Sequence, residues 1–247
     1  MIQFFSTREH DENDSQQLAL IAGFTLFFAT ICFFLFDQLI CKYLFVSNGQ
    51  EETLNHISGG RGPVLIGLVS LVMLIVSDIV IASSFYHYFK KVDYGLSVIA
   101  SWLRYLSGIF RFFFAIAFAF LLALNFKSTP VQSDFAHLQM TGLGELSSDL
   151  GFVVFTVLQF LWAFAFLLLG AHLILTGYLI SKARRIPAIL GYVSIIAGGI
   201  YILDTIRKYA FPEFSTGFGI IVGYGEIALA LWLLLKTPVL KAEQSFG

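Results

Sequence analysis

The sequence predicts an all-α integral membrane protein, a six-transmembrane-helix bundle with both termini in the cytoplasm. Three observations carry this. Of 247 residues, 57% are hydrophobic and 13% charged, with a mean hydropathy of +0.82, a balance that suits lipid rather than water as solvent. The apolar residues gather into six runs, each long enough to supply the roughly 20 residues a helix needs to cross the hydrocarbon core. These runs are continuous rather than alternating, which excludes a barrel, and lipid leaves helices and closed barrels as the only ways to satisfy a buried backbone.

Residues 1–17 form a polar leader carrying Glu9, Asp11, Glu12 and Asp14. It lacks the basic and apolar regions of a cleavable signal and reads as a cytoplasmic tail. The first span, Leu18 to Phe45, is long enough to stay as an anchor. Its two cysteines, Cys32 and Cys41, fall on opposite faces of a helix and read as apolar filler rather than a disulfide. A loop marked by Ser47, Asn48, Gly49, Gly59, Gly60 and Gly62 leads to the second span, Pro63 to Phe89. The short basic turn Lys90-Lys91 then leads to the third, Leu96 to Phe126. The connection from Lys127 to Asp149 is long enough either to fold over the bundle as a lid, with Phe135, Leu138, Met140, Leu143 and Leu146 at the interface, or to run as a plain floppy loop, and its residues favour neither. The fourth span runs from Leu150 to Ser181, the fifth from Pro187 to Ala210 and the sixth from Gly217 to Leu235. The transmembrane domain thus covers 18–236, and 237–247 is a second cytoplasmic tail.

Orientation follows from basic residues in the loops. The side shared by both termini carries Arg8, Lys90, Lys91, Lys182, Arg184, Arg185, Lys236 and Lys241. The opposite side carries the smaller set Lys42, Arg61, Lys127, Arg207 and Lys208. Tyr43, Tyr86, Tyr88, Trp102 and Trp232 suit anchoring near the interfaces.

Several function classes fall away. A net charge of -1 offers no basic face for nucleic acid, and no P-loop or glycine-rich strand-to-helix turn points to a nucleotide. One histidine with two carboxylates is only a weak pattern for a metal, and the residues leave any cofactor unknown. His56 and His137 read as solvated loop residues, and Ser77 beside Asp78 points about 100° away from it on a helix, so the two form no nucleophile pair.

Charge inside a span is costly and marks candidate sites. The candidates are Asp37, Asp78, Arg104, Arg111, His172, Asp204 and Glu226. At about 1.5 Å per residue, Asp78, Arg104, His172 and Glu226 lie roughly 12 to 17 Å from the cytoplasmic end of their spans, in one layer. Asp37, Arg111 and Asp204 fall roughly 23 to 29 Å from it, in a second layer nearer the outer face. Arg104 and Arg111 are one heptad apart and share a helix face to within about 20°. The layers pair Asp78 and Glu226 with Arg104, and Asp37 with Arg111. The lower layer then holds one arginine against two carboxylates, so a protonated carboxyl, a charged His172 or a cationic ligand has to make up the difference. Polar side chains in membrane bundles also simply tie helices together. For Asp204, Arg207 and Lys208 at i+3 and i+4 offer local neutralisation.

A resemblance adds to this. The stretch Gly170-Ala-His172-Leu-Ile-Leu-Thr-Gly-Tyr178-Leu-Ile, then Arg185-Ile-Pro187-Ala-Ile-Leu-Gly191, Ile200-Tyr-Ile-Leu-Asp204 and Gly225-Glu226-Ile-Ala-Leu-Ala-Leu-Trp232-Leu-Leu-Leu, resembles a bacterial multi-pass membrane family catalogued as a domain of unknown function. Ser77-Asp78 and Arg104 stand where that family carries an aspartate and an arginine. The resemblance covers about Leu18 to Lys236. It implies a six-helix bundle in a bacterial cytoplasmic membrane and treats Asp78, Arg104, His172, Asp204 and Glu226 as one set, with no activity attached. The residues favour binding or transport of an ion or small amphipathic molecule at a polar pocket within the bundle. An intramembrane enzyme acting on a lipid-like substrate, with Glu226 or Asp78 as base and His172 as its partner, and a ligand-free structural protein are the alternatives.

Overall fold

A peptide group in lipid finds no partner but another peptide group, so apolar runs close their own hydrogen bonds as helices. A computed structural model describes residues 2–41, 61–125, 142–183, 186–210 and 225–235, and these are helical apart from short turns. Helix α1 spans Ile2–Phe36 and passes into a π-helical turn at Asp37–Cys41. The others are α2 (Arg61–Phe89), α3 (Tyr94–Asn125), α4 (Gly142–Lys182), α5 (Ala188–Ala210) and α6 (Gly225–Leu235). Five carry stretches long and apolar enough to cross a bilayer: Gln17–Ile40, Gly62–Phe89, Tyr94–Leu122, Leu150–Lys182 and Ala188–Lys208; α6 is shorter.

Local chemistry sets the ends. Asp93 caps α3, its carboxylate accepting from Leu96 N at 3.1 Å while its carbonyl accepts from Ser97 Oγ. Pro187 stands just before α5, where its missing N–H costs nothing. Two expectations change. The polar leader continues α1 as helix from Ile2, and residues 142–149, read above as the end of a loop, are the first turns of α4. The rest of that connection, with Phe135, Leu138 and Met140, lies outside the described residues.

Neighbouring helices pack in chain order: α1 on α2, α2 on α3, α3 on α4, α4 on α5. Helix α6 meets α5 at Gly225, where a Cβ would sit 3.3 Å from Ala197 and Val193, and meets α1 at Gly23, where a Cβ would lie 2.9 Å from Leu233. The helices thus close into a ring. The tightest seam joins α4 to α5, which run antiparallel with Gly170 against Gly198 and Gly177 against Gly191. A Cβ at Gly170 would stand 2.7 Å from Gly198 O, and one at Gly191 would stand 2.9 Å from Ser181 N, so only glycine permits this approach.

The ring is apolar outside and encloses the polar side chains of its spans. Phe24, Phe34, Leu65, Trp102, Phe152 and Leu203 face outward, whereas Ser77, Asp78, Ser101, Arg104, Ser107, Arg111, His172 and Thr176 are buried. Water as solvent favours the reverse arrangement, and lipid tails favour this one. The protein is a multi-pass helical membrane protein. Toward one end the described interior becomes mainly apolar, with Phe36, Phe114, Phe118, Leu158 and Trp162 packed in one cluster.

Candidate functional site

Residues at spacings of three and four share one face of a helix, and on α3 that face reads Ser97, Ser101, Arg104, Ser107, Gly108 and Arg111 before turning apolar at Phe114. Each hydroxyl has a use. Ser101 Oγ lies 3.1 Å from Ala82 O of α2, and Ser107 Oγ donates to Ala165 O of α4 at 2.9 Å. The two guanidiniums take up the centre.

Asp78 of α2 stands opposite Gly108, where a Cβ would be 3.5 Å from its own Cβ. The carboxylate therefore sits between the arginines that flank Gly108 one turn away on each side. Arg104 Nε donates to Asp78 Oδ1 at 3.1 Å, and Arg111 Nη1 donates to Asp78 Oδ2. Glu226, in the first turn of α6, brings Oε1 to 3.7 Å from Arg104 Nη1, a charge contact too long for a hydrogen bond. Asp78 is fully buried and the arginine side chains are 2–3% exposed, whereas that of Glu226 is 14% exposed. Among the described residues, the buried side-chain atoms without a hydrogen-bond partner are Arg104 Nη1, Arg111 Nε and Glu226 Oε1. All three belong to this one cluster.

The geometry corrects the pairing drawn from depth alone. Arg111 does not stay in an outer layer with Asp37 but reaches inward to Asp78, because two long side chains one heptad apart can converge on a carboxylate between them. The cluster then holds two arginines against two carboxylates. It is neutral with every group ionised, and the excess of negative charge that a protonated carboxyl, a charged His172 or a cationic ligand was to offset disappears.

The other candidates fall around it. His172 is fully buried, but its ring is engaged elsewhere: Nδ1 lies 2.8 Å from Ala100 O, so Nδ1 carries a proton, and Nε2 faces Thr176 Oγ1 at 3.4 Å. Phe85 stacks on the same ring. His172 thus ties α4 to α3 one turn from Arg104. Asp204 is held by its own helix, accepting from Arg207 Nη2 at 2.8 Å and lying 3.4 Å from Lys208 Nζ. Asp37 opens the π-helical turn and accepts from Gln38 Nε2. No three His, Cys, Asp or Glu residues converge as a metal site among the described residues.

One member escaped sequence reasoning. Tyr201 of α5 is buried, its ring 5.1 Å from that of Phe166, and its hydroxyl lies within electrostatic reach of Glu226, Arg111, Arg104 and Asp37. A phenol carries no formal charge, so a search for charges passes over it. Its one signal is position, a turn after Ala197, which packs on Gly225 beside Glu226.

Residues 21–237 match the model of a family described as "Domain of unknown function (DUF4386)". A protein of Archaeoglobus fulgidus, described as "Uncharacterized protein", is 25% identical over 174 residues, which are 70% of this chain and 85% of that protein. A similar chain therefore exists outside the bacteria. No solved structure matches.

Proposed function

The chain belongs to the DUF4386 family, and because that description carries no activity, we propose from the site's geometry that the protein binds a small ion or amphipathic molecule inside the bundle and carries it across the membrane. One observation supports this above the rest. Buried polar atoms are almost always paired, since an unpaired one costs about 1–3 kcal/mol and more when charged. Here three unpaired atoms from two helices belong to a single cluster, with Arg104 Nη1 and Glu226 Oε1 3.7 Å apart. A set of side chains that only tied helices together would be closed, as the contacts of Ser101, Ser107 and His172 are. The site is Asp78, Arg104, Arg111 and Glu226, with Tyr201 at its edge and His172 holding the wall beside it.

The remaining features follow in the same reading. The 11 residues of α6 are the cytoplasmic part of a sixth span, both termini lie in the cytoplasm, and the membrane is the cytoplasmic membrane of a prokaryote. The enzymatic alternative needs His172 among the carboxylates, and both its ring nitrogens are occupied by Ala100 and Thr176.

The test is a structure of the full-length protein purified in lipid nanodiscs. Non-protein density bridging Arg104 Nη1, Arg111 Nε and Glu226 Oε1 is the expected result. A dry cluster in which Glu226 closes directly onto Arg104 and Arg111 would reduce the network to a helix tie and overturn the reading.

A further inference from the structure

We infer that the interior site takes up a carboxylate-type monoanion together with one proton, and that Glu226 is the tethered competitor for the place this anion occupies. This deepens the binding-site reading above and rests on it.

The donors point to an anion. Arg104 spends Nε, and Arg111 spends Nη1, on the one carboxylate of Asp78, so the three side chains carry one net positive charge between them. The unpartnered N–H groups of this triad, Arg104 Nη1 and Arg111 Nε, belong to side chains 2–3% exposed. A buried guanidinium N–H is best satisfied by a charged acceptor. A cation would instead have to settle beside two guanidiniums.

Glu226 marks the anion's place without filling it. Its carboxylate balances the triad's charge, yet at 3.7 Å it makes no hydrogen bond to Arg104, and Oε1 is itself without a partner. It is also the most exposed member of the cluster. The other three are locked together across α2 and α3, whereas Glu226 comes from a separate helix.

Charge then fixes the stoichiometry. Net charge is costly in a low-dielectric interior, and the present cluster is neutral. A monoanion entering alone would leave it negative. When Glu226 takes a proton, its O–H bond forms, its negative charge is lost, and the arriving anion restores neutrality while accepting from Arg104 Nη1 and Arg111 Nε. The groups acting on Glu226 are Arg104 and Arg111 from α3 and Asp78 from α2, with the phenol of Tyr201 from α5. Asp37 at the end of α1 acts on Tyr201, and His172 of α4 lies near Arg104. Among these, Glu226 is the acidic group with no hydrogen bond to lose.

The test uses the full-length protein in phosphatidylcholine nanodiscs, titrated by calorimetry between pH 6 and 8.5 with sodium acetate and, separately, with sodium dodecanoate. Empty nanodiscs serve as the blank. Runs in two buffers of different ionisation enthalpy count the protons taken up. The expected result is one proton per anion bound and an affinity that falls about tenfold per pH unit where Glu226 is ionised. Acetate binding identifies a water-soluble carboxylate, and binding of dodecanoate alone identifies a fatty acid drawn from the bilayer. Glu226→Gln, a neutral surrogate for the protonated side chain, is expected to bind the same anion without proton uptake and with no pH dependence. Should that variant not fold, the proton count of the wild-type protein decides by itself. Binding without proton uptake, an unchanged pH dependence in Glu226→Gln, or no binding of either probe overturns the inference. A neutral or cationic occupant in the nanodisc structure overturns the inference alone and leaves the binding-site reading standing. A dry, closed cluster removes both.

Discussion

Asp78 is the residue on which the interior depends, since it is the hydrogen-bonded partner of both arginines. Removing one member of a buried ion pair costs about 3–5 kcal/mol, because the charge left behind has no compensation. Asp78→Asn takes the hydrogen-bonded carboxylate from both arginines and leaves Glu226 as the one counter-charge in the cluster, whereas Arg111→Gln leaves Asp78 paired with Arg104. Asp78→Asn is therefore expected to destabilise the protein by at least about 3 kcal/mol and by more than Arg111→Gln does. Thermal melting of both variants in detergent, followed by helical circular dichroism, checks the order; equal losses would mean that Asp78 does not serve both arginines. Asp78 and Arg104 were legible as partners because each is a charge in an apolar run at a matching depth. The place of Arg111 was not. Depth counted along a helix axis locates a Cα, and an arginine side chain moves its charge several Å along that axis, enough to leave the layer its backbone occupies. Tyr201 was hidden for a different reason, since its role comes from neighbours on other helices.

At the scale of the helices, the antiparallel seam of α4 and α5 is the contact most sensitive to volume. A Cβ at Gly177 would press on Gly191 O and stand 2.8 Å from Ile195 Cγ1, whereas Gly199 has open space around it. Forcing extra atoms into a packed interface costs about 1–3 kcal/mol. Gly177→Ala is expected to lose about that much, and Gly199→Ala to be neutral or slightly stabilising, as a glycine-to-alanine change in a helix generally is. Melting temperatures of the two variants measured side by side check this; a stable Gly177→Ala would show that the helices are not in backbone contact there. The glycines were visible in the sequence, Gly170 and Gly177 on one run and Gly191 and Gly198 on the next. Their pairing was not, because it requires the two helices to be antiparallel and in a particular register. The length of α4 was likewise hidden: its 41 residues extend about 60 Å at 1.5 Å per residue, so polar first turns stand beyond the apolar stretch that begins at Leu150.

For the molecule as a whole, ring closure puts the end of α2, the start of α3, the end of α4 and the start of α5 at one end of the bundle, beside Ala19 of α1 and Leu233 of α6. That end carries Lys90, Lys91 and Lys182, and the orientation proposed above, which rests on the positive-inside rule, turns it toward the cytoplasm. In a background without Cys32 and Cys41, Lys91→Cys is expected to react with a membrane-impermeant maleimide in inverted vesicles and not in right-side-out cells, and Arg61→Cys to show the reverse. Labelling of both from one side would break the alternation of the first two connections. That the chain is helical and lies in a membrane was determined by composition and run length alone, because lipid as solvent permits few backbone solutions and twenty apolar residues permit fewer. Which cation meets which carboxylate, that the cluster is neutral, and that three polar atoms are left open within it were decided only by the tertiary structure. Those properties depend on where helices distant in sequence bring their side chains together, and the local pattern of each run holds no record of it.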